Sequence, residues 1–179
     1  MSLVNDVSVR AARPSDAPAI GAIQSTCWRE TYADVLSPEE PFPTPAEFGR
    51  AWRAAVEEAP TPAHVVLVAC EGPRVVGFVA VAPSEDPDAD TGWRELVEGG
   101  VLPEVRRQGH GSRLLNAAAD TVRDAGAAVL TVWVRAGGAA VTGLLSAAGF
   151  SPDGAFRERE TDVSGGTLRE TRLLATLSG

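Results

Sequence analysis

The sequence predicts an α/β domain of the α+β-like kind, one mixed and mostly antiparallel sheet with about four helices against its faces. Three observations carry this. Short apolar runs, alternating or rich in β-branched residues, recur at Val7–Ala11, His64–Cys70, Val75–Val81, Trp93–Leu102, Val129–Val134 and Leu168–Leu177, and a turn at Phe150 leads into one further strand, Ser151–Arg157. Four stretches between them hold apolar residues at helical spacing. Turn residues separate nearly all of these segments, and 179 residues suit one domain, 1–179, within the usual range of roughly 100–200.

Taken in order, Val7 and Val9 mark the first strand, and Arg13, Pro14, Ser15 and Asp16 make a turn with a helix cap. Ala19, Ile20, Ile23 and Cys27 then give one packed helix face from Asp16 to Thr31, with Tyr32 near its end. Pro38, Pro41, Pro43 and Pro45 make Leu36 to Pro45 a loop. The second helix, Ala46 to Glu58, turns Phe48, Trp52 and Val56 inward and is stopped by Pro60 and Pro62. The next two strands form a hairpin about Glu71, Gly72 and Pro73. Pro83 to Thr91, carrying Glu85, Asp86, Asp88 and Asp90, reads as a solvated acidic loop. In the strand that follows, Gly99 and Gly100 suggest a bulge or a close approach of another chain or ligand. Leu114, Leu115, Ala118, Ala119 and Val122 form the stripe of a helix over Gly109 to Ala125, which Gly126 ends. After a buried strand, Val141, Leu144, Leu145 and Ala148 line a helix over Ala139 to Ala148, with Gly149 closing it. Gly165 and Gly166 turn the chain into the last strand.

Composition narrows the function. A net charge of −8 argues against nucleic-acid or anionic-membrane binding and favours a cationic small molecule. The absence of a basic-then-apolar leader, and of any apolar run near the roughly 18 residues that span a bilayer, predicts a cytoplasmic protein. Cys27 and Cys70 stand far apart and read as reduced packing residues; with only His64 and His110 beside them, no metal site is expected. All 16 basic residues are arginine, which excludes lysine chemistry.

The segment Glu95 to Leu115 is the most telling: a strand, a glycine-rich turn and an amphipathic helix, with Arg106, Gly109 and Gly111 in RxxGxG spacing. Glycines there let the backbone turn tightly, while the first amides of the helix stay unpaired and form a cradle suited to a diphosphate. A Rossmann fingerprint would need a third glycine where Leu114 stands and an acidic end to the following strand, which instead closes on Val134 and Arg135. A P-loop would need a lysine.

The stretch from Val101 through Leu102, Pro103, Arg106, Gly109 and Gly111 to Leu114 and Leu115 resembles the acyl-CoA-binding motif of the GNAT superfamily of N-acetyltransferases. Trp133 to Gly154 resembles the second motif of that family. The resemblance implies a GNAT-type fold whose fourth and fifth strands splay apart, with acetyl-CoA as cosubstrate and no metal. It implies that Val101 and Leu102 pair with the pantetheine arm like an added strand. Amides of Arg107, Gln108, Gly109, His110, Gly111 and Ser112 would hold the pyrophosphate, with Arg106 and Arg107 adding charge. The glycine pair would provide the family's bulge.

The implied activity is transfer of acetyl to a primary amine, a small cationic molecule, by direct attack in a ternary complex. Such attack needs a proton acceptor for the amine and a donor for the leaving thiolate. Glu95 and Glu98 are the candidate bases, Glu95 at the position where the family often carries one; ordinary alternation would set the two on opposite faces unless a bulge intervenes. The family's usual tyrosine and asparagine, aligned through Gly149 and Phe150, fall on Leu145 and Gly138, and leucine donates no proton. A water or Tyr32, the only tyrosine, would have to substitute as donor. The acceptor is expected between the first helices and a loop from Glu158 to Thr167. The competing reading is a catalytically impaired CoA-binding sensor or interaction module of the same fold. Dimerisation through the last strands or an exposed helix is open.

Overall fold

The structure, a computed structural model, describes residues 6–36, 41–161 and 166–177. Each predicted element forms within them: β1 (Val7–Ala11), α1 (Ala17–Thr31), α2 (Pro45–Glu57), β2 (Val65–Glu71), β3 (Arg74–Pro83), β4 (Trp93–Val101), α3 (His110–Asp124), β5 (Val129–Arg135), α4 (Ala139–Ala147), β6 (Ser151–Glu160) and β7 (Thr167–Thr176). β6 runs past the expected end at Arg157 to Glu160, which shortens the loop expected from Glu158. Pro38 of the proline-rich loop and Gly165 of the glycine turn lie outside the described residues.

The strands make one sheet in the order β1-β2-β3-β4-β5-β7-β6, with β4 and β5 its parallel neighbours. α1 and α2 cover one face. Ile20, Ile23 and Cys27 pack there on Val68, Cys70 and Phe78, and Trp52 meets the Phe78 ring edge-on at 5.1 Å. The helices cross where both lack side chains: a Cβ on Gly21 would lie 2.4 Å from the Gly49 amide. α3 covers the other face, with Leu114, Leu115, Ala118 and Val122 against Val76, Val79, Val81 and Leu96. α4 departs from expectation. Leu145 is buried in this core, but Val141 and Leu144 stay exposed, because α4 lies beyond the sheet's covered area beside Gly111.

The sheet parts in the middle. β5 pairs with β4 only from Trp93 to Leu96, and both strands then run on separately, to Val101 and Arg135. Against β3, Ala80 faces Glu98 but Val81 faces Leu96, so Val97 is an inserted residue. The expected bulge at Gly99 and Gly100 is therefore misplaced: they pair in step with Val79 and Phe78. Gly100 instead admits α1, since a Cβ there would sit 2.7 Å from the Cys27 sulfur. An inserted residue sharpens the strand's twist and carries β4 away from β5.

Gly21→Ala is expected to cost about 2–3 kcal/mol by forcing α1 and α2 apart. Urea unfolding measures this, and an unchanged midpoint would contradict the packing described.

Candidate active site

Beyond Val101 the chain passes through one tight turn, Pro103–Val105, and enters α3 by a loop in which Arg107 (φ 62°) and Gly109 (φ 87°) are left-handed. A left-handed residue followed by a helical one points successive amides into a concavity. Among the described residues, no protein acceptor receives the amides of Arg107 to Ser112; the first to be satisfied is that of Arg113, 3.0 Å from the Gly109 carbonyl. Arg113 also donates to the Gln108 carbonyl at 3.0 Å, placing beside the loop a charge that the sequence had not singled out. Gly111 lies against α4, where a Cβ would come 2.9 Å from an outer methyl of Leu144.

The two expected arginines differ. Arg106 is committed to Glu30 at 2.7 Å and to the Val101 carbonyl at 3.0 Å, whereas Arg107 has no ion pair among the described residues. Leu102 changes in role, because its amide donates to Val76 at 2.9 Å and its carbonyl accepts from Val105 at 3.1 Å. Alternation leaves the amide of Val101 on the opposite edge, facing the gap. His110 turns into the core, 2% exposed, with Nε2 2.9 Å from Glu71 and Nδ1 without a partner.

The bulge settles the geometry of the two glutamates. Glu95 faces Ala82 and Glu98 faces Ala80, so both side chains leave the same face of the sheet. Glu98 is held: Oε2 accepts from Trp28 at 2.8 Å and Gln24 at 3.1 Å, and Oε1 from the Gly99 amide at 3.0 Å. Gln24 is itself fixed by the Trp52 indole at 2.6 Å. Burial pushes the Glu98 carboxyl above its ordinary range despite these donors. Glu95 makes no hydrogen bond among the described residues; burial raises its carboxyl too, helped by Asp86 and opposed by Arg157 and Arg159. Tyr32 stands at the end of α1, edge-on to Trp28 at 5.4 Å. Burial and the nearby Glu98 and Glu170 carboxylates raise its hydroxyl, which keeps it protonated.

Glu95 opens on a cavity of about 500 Å3 that His64, Glu85, Asp86, Arg157 and Arg159 also line. The acidic segment beside it is no free solvated loop. Arg172 of β7, 4% exposed, binds Asp86 at 3.1 Å, Asp88 at 2.5 Å and Asp153 at 2.8 Å, and the Trp133 indole donates to Asp86 at 3.2 Å. These bonds lift the Arg172 guanidinium well above its usual range. Sequence reasoning missed Arg172, Gln24 and Trp28. The spacing of Gln24 and Trp28, four apart on α1, was the one available signal for two side chains on one face. No group of three or more potential metal ligands occurs among the described residues. Nor is any described helix long and apolar enough to cross a membrane.

The family model described as the acetyltransferase (GNAT) family matches residues 23–150. Several solved structures share the fold. An N-acetyltransferase from Staphylococcus aureus Mu50 aligns with a TM-score of 0.76 at 19% identity, over 97% of this chain and 99% of that one. The yncA protein of Salmonella typhimurium, solved with its cofactor acetyl-CoA, aligns at 0.74 and 23% over 97% and 95%. A ribosomal-protein-alanine N-acetyltransferase from Brucella melitensis aligns at 0.73 and 22% over 94% and 99%. No curated protein matches the sequence.

Arg172→Met is expected to destabilise the fold by about 3 kcal/mol, because removing the buried guanidinium leaves the half-buried Asp86 and Asp153 carboxylates uncompensated. Asp88→Asn, at an exposed partner, should cost less. Denaturant unfolding of the two variants tests the order.

Proposed function

The chain belongs to the GNAT acetyltransferase family, and from that premise we propose that it transfers acetyl from acetyl-CoA to the nitrogen of a small primary amine. The observation that carries this reading is the fork between β4 and β5, with an unpaired carboxylate, Glu95, at its apex beside an open cavity. The yncA structure, which holds acetyl-CoA on a like fold, supports the choice of cosubstrate. The Brucella relative acts on a ribosomal protein, so the fold alone does not select the acceptor.

Acetyl-CoA supplies an acyl group activated as a thioester. Free amides from Arg107 to Ser112 and the unpaired Arg107 hold the diphosphate, with Arg106 bracing the turn from Glu30. The free edge at Val101 takes the pantetheine arm as a strand would, and Leu102 bounds its path. Glu95 accepts the proton of the amine, directly or through one water, which frees the lone pair for attack. As the C–N bond forms the C–S bond breaks; the nitrogen sheds its second proton to water, and Tyr32 gives a proton to the departing sulfur and regains one from solvent. Glu98 is a positioning residue in this scheme, since its oxygens are occupied by α1 and by Gly99. A net charge of −8 draws the ammonium form of the acceptor toward the cleft.

A second reading, a CoA-binding sensor without catalysis, draws on Leu145, buried at the position where the family usually has its tyrosine. Coenzyme release with a panel of amines separates the two. Under the transfer reading Glu95→Gln lowers kcat roughly 100-fold or more with the KM for acetyl-CoA unchanged. A raised Glu95 carboxyl takes up its proton, and falls idle as a base, at a higher pH than an ordinary glutamate. The acid limb of kcat/KM should therefore turn over above the ordinary glutamate value of about 4.3, and flatten in Glu95→Gln. Glu98→Gln should chiefly lower stability. Acetyl-CoA binding with no release from any amine at any pH would favour the sensor.

A further inference from the structure

Resting on that acetyl-transfer reading, we propose that the acceptor is a zwitterion, an amino acid or close analogue, whose carboxylate is bound by Arg157 and Arg159 while its amine lies at Glu95. The cavity holds both kinds of charge. β6 projects Arg157 and Arg159 two positions apart, hence from one face. They share a single carboxylate, Glu170, which their Nε atoms reach at 2.5 and 3.1 Å. One carboxylate does not neutralise two guanidiniums, so this wall keeps an excess of positive charge. Bonding through Nε also leaves the terminal nitrogens of each fork, and these meet no acceptor among the described residues. Arg157 is held in place from below by the Trp133 ring, 4.4 Å away. Such a fixed planar fork matches a carboxylate in shape as well as in charge.

On the opposing side Asp86 is spent on Trp133 and Arg172, whereas Glu95 and the neighbouring Glu85 have no hydrogen-bond partner among the described residues. Two unspent anions, Glu95 and Glu85, and the unspent cations therefore share one cavity, and Glu95 feels the charge of both kinds. A polyamine would set positive charge against the arginines. A peptide N-terminus carries no carboxylate close to its amine. An amino acid presents both groups a few bonds apart. In the transfer its ammonium gives up one proton toward Glu95, the freed nitrogen bonds to the acetyl carbon and sheds its second proton to water, the sulfur leaves and is protonated, and the carboxylate is unchanged. The product amide has lost the charge that faced Glu95, which favours release.

The test is coenzyme release with matched trios, each an amino acid, its α-carboxamide and its decarboxylated amine, at saturating acetyl-CoA. At least one amino acid should exceed both partners tenfold or more in kcat/KM, and Arg157→Gln or Arg159→Gln should bring that ratio toward one. Amides, polyamines or peptides preferred over free acids, or a preference that survives both substitutions, would overturn the proposal while leaving acetyl transfer standing. Melting with the same trios in the presence of desulfo-CoA supplies the second reading. A rise with the acids alone but no turnover would support the acceptor class and sink the transfer chemistry; neither rise nor turnover would sink both.

Discussion

Leu96 is the last residue of β4 that β5 holds, and the position of every candidate reactive group follows from that release. An unpaired strand edge is ordinarily a liability, because its amides and carbonyls invite another chain. Here the edge is short and partly occupied from within: Glu98 caps the Gly99 amide, and Arg106 and Cys27 approach the Val101 carbonyl. The remaining length suits one extended ligand. The residue inserted at Val97 does two things at once, turning β4 outward and restoring Glu95 and Glu98 to a common face.

Environment then separates two carboxylates of the same type on the same strand. Glu98 sits under α1 with three donors and fixes the helix to the fork. Glu95 lies where α1 and α2 no longer cover the sheet, and its neighbours are charges rather than hydrogen-bond donors. Those charges are themselves anchored. The buried guanidinium of Arg172 ties Asp86, Asp88 and Asp153 together over the Trp93 and Trp133 rings, so the acidic segment forms a rigid wall. A lysine would supply a point charge there; arginine supplies a planar fork with donors for three partners.

The repeating elements were legible because period alone determines them: the alternation of β1, the four-residue stripe of α2 and the Leu114 to Val122 stripe of α3 all fold as read. The cradle was legible because left-handed turns and close packing ask for glycine, and Gly109 and Gly111 answer. The bulge was not, because a glycine pair signals equally an insertion and a close approach, and of the two Gly100 marks the surface on which α1 rests while Gly99 lies against β3. Nor could local pattern reveal the wall of Arg157, Arg159 and Arg172. Its partners lie on β4, β5, β7 and the acidic segment, and charged residues on a strand otherwise read as solvent-facing. The amphipathic pattern of α4 misled in the opposite sense, since an apolar stripe records what is available for burial, and Val141 and Leu144 find no sheet beneath them.

In the proposed function the coenzyme lies along the free edge of β4 and the amides opening α3. Amide hydrogen exchange with and without saturating acetyl-CoA, with ATP as comparator, tests it at the residues concerned. Slowed exchange confined to Val97–Val101 and Arg107–Ser112 is expected with acetyl-CoA, and none there with ATP. Unchanged exchange in both segments at millimolar acetyl-CoA, or protection elsewhere instead, would contradict it.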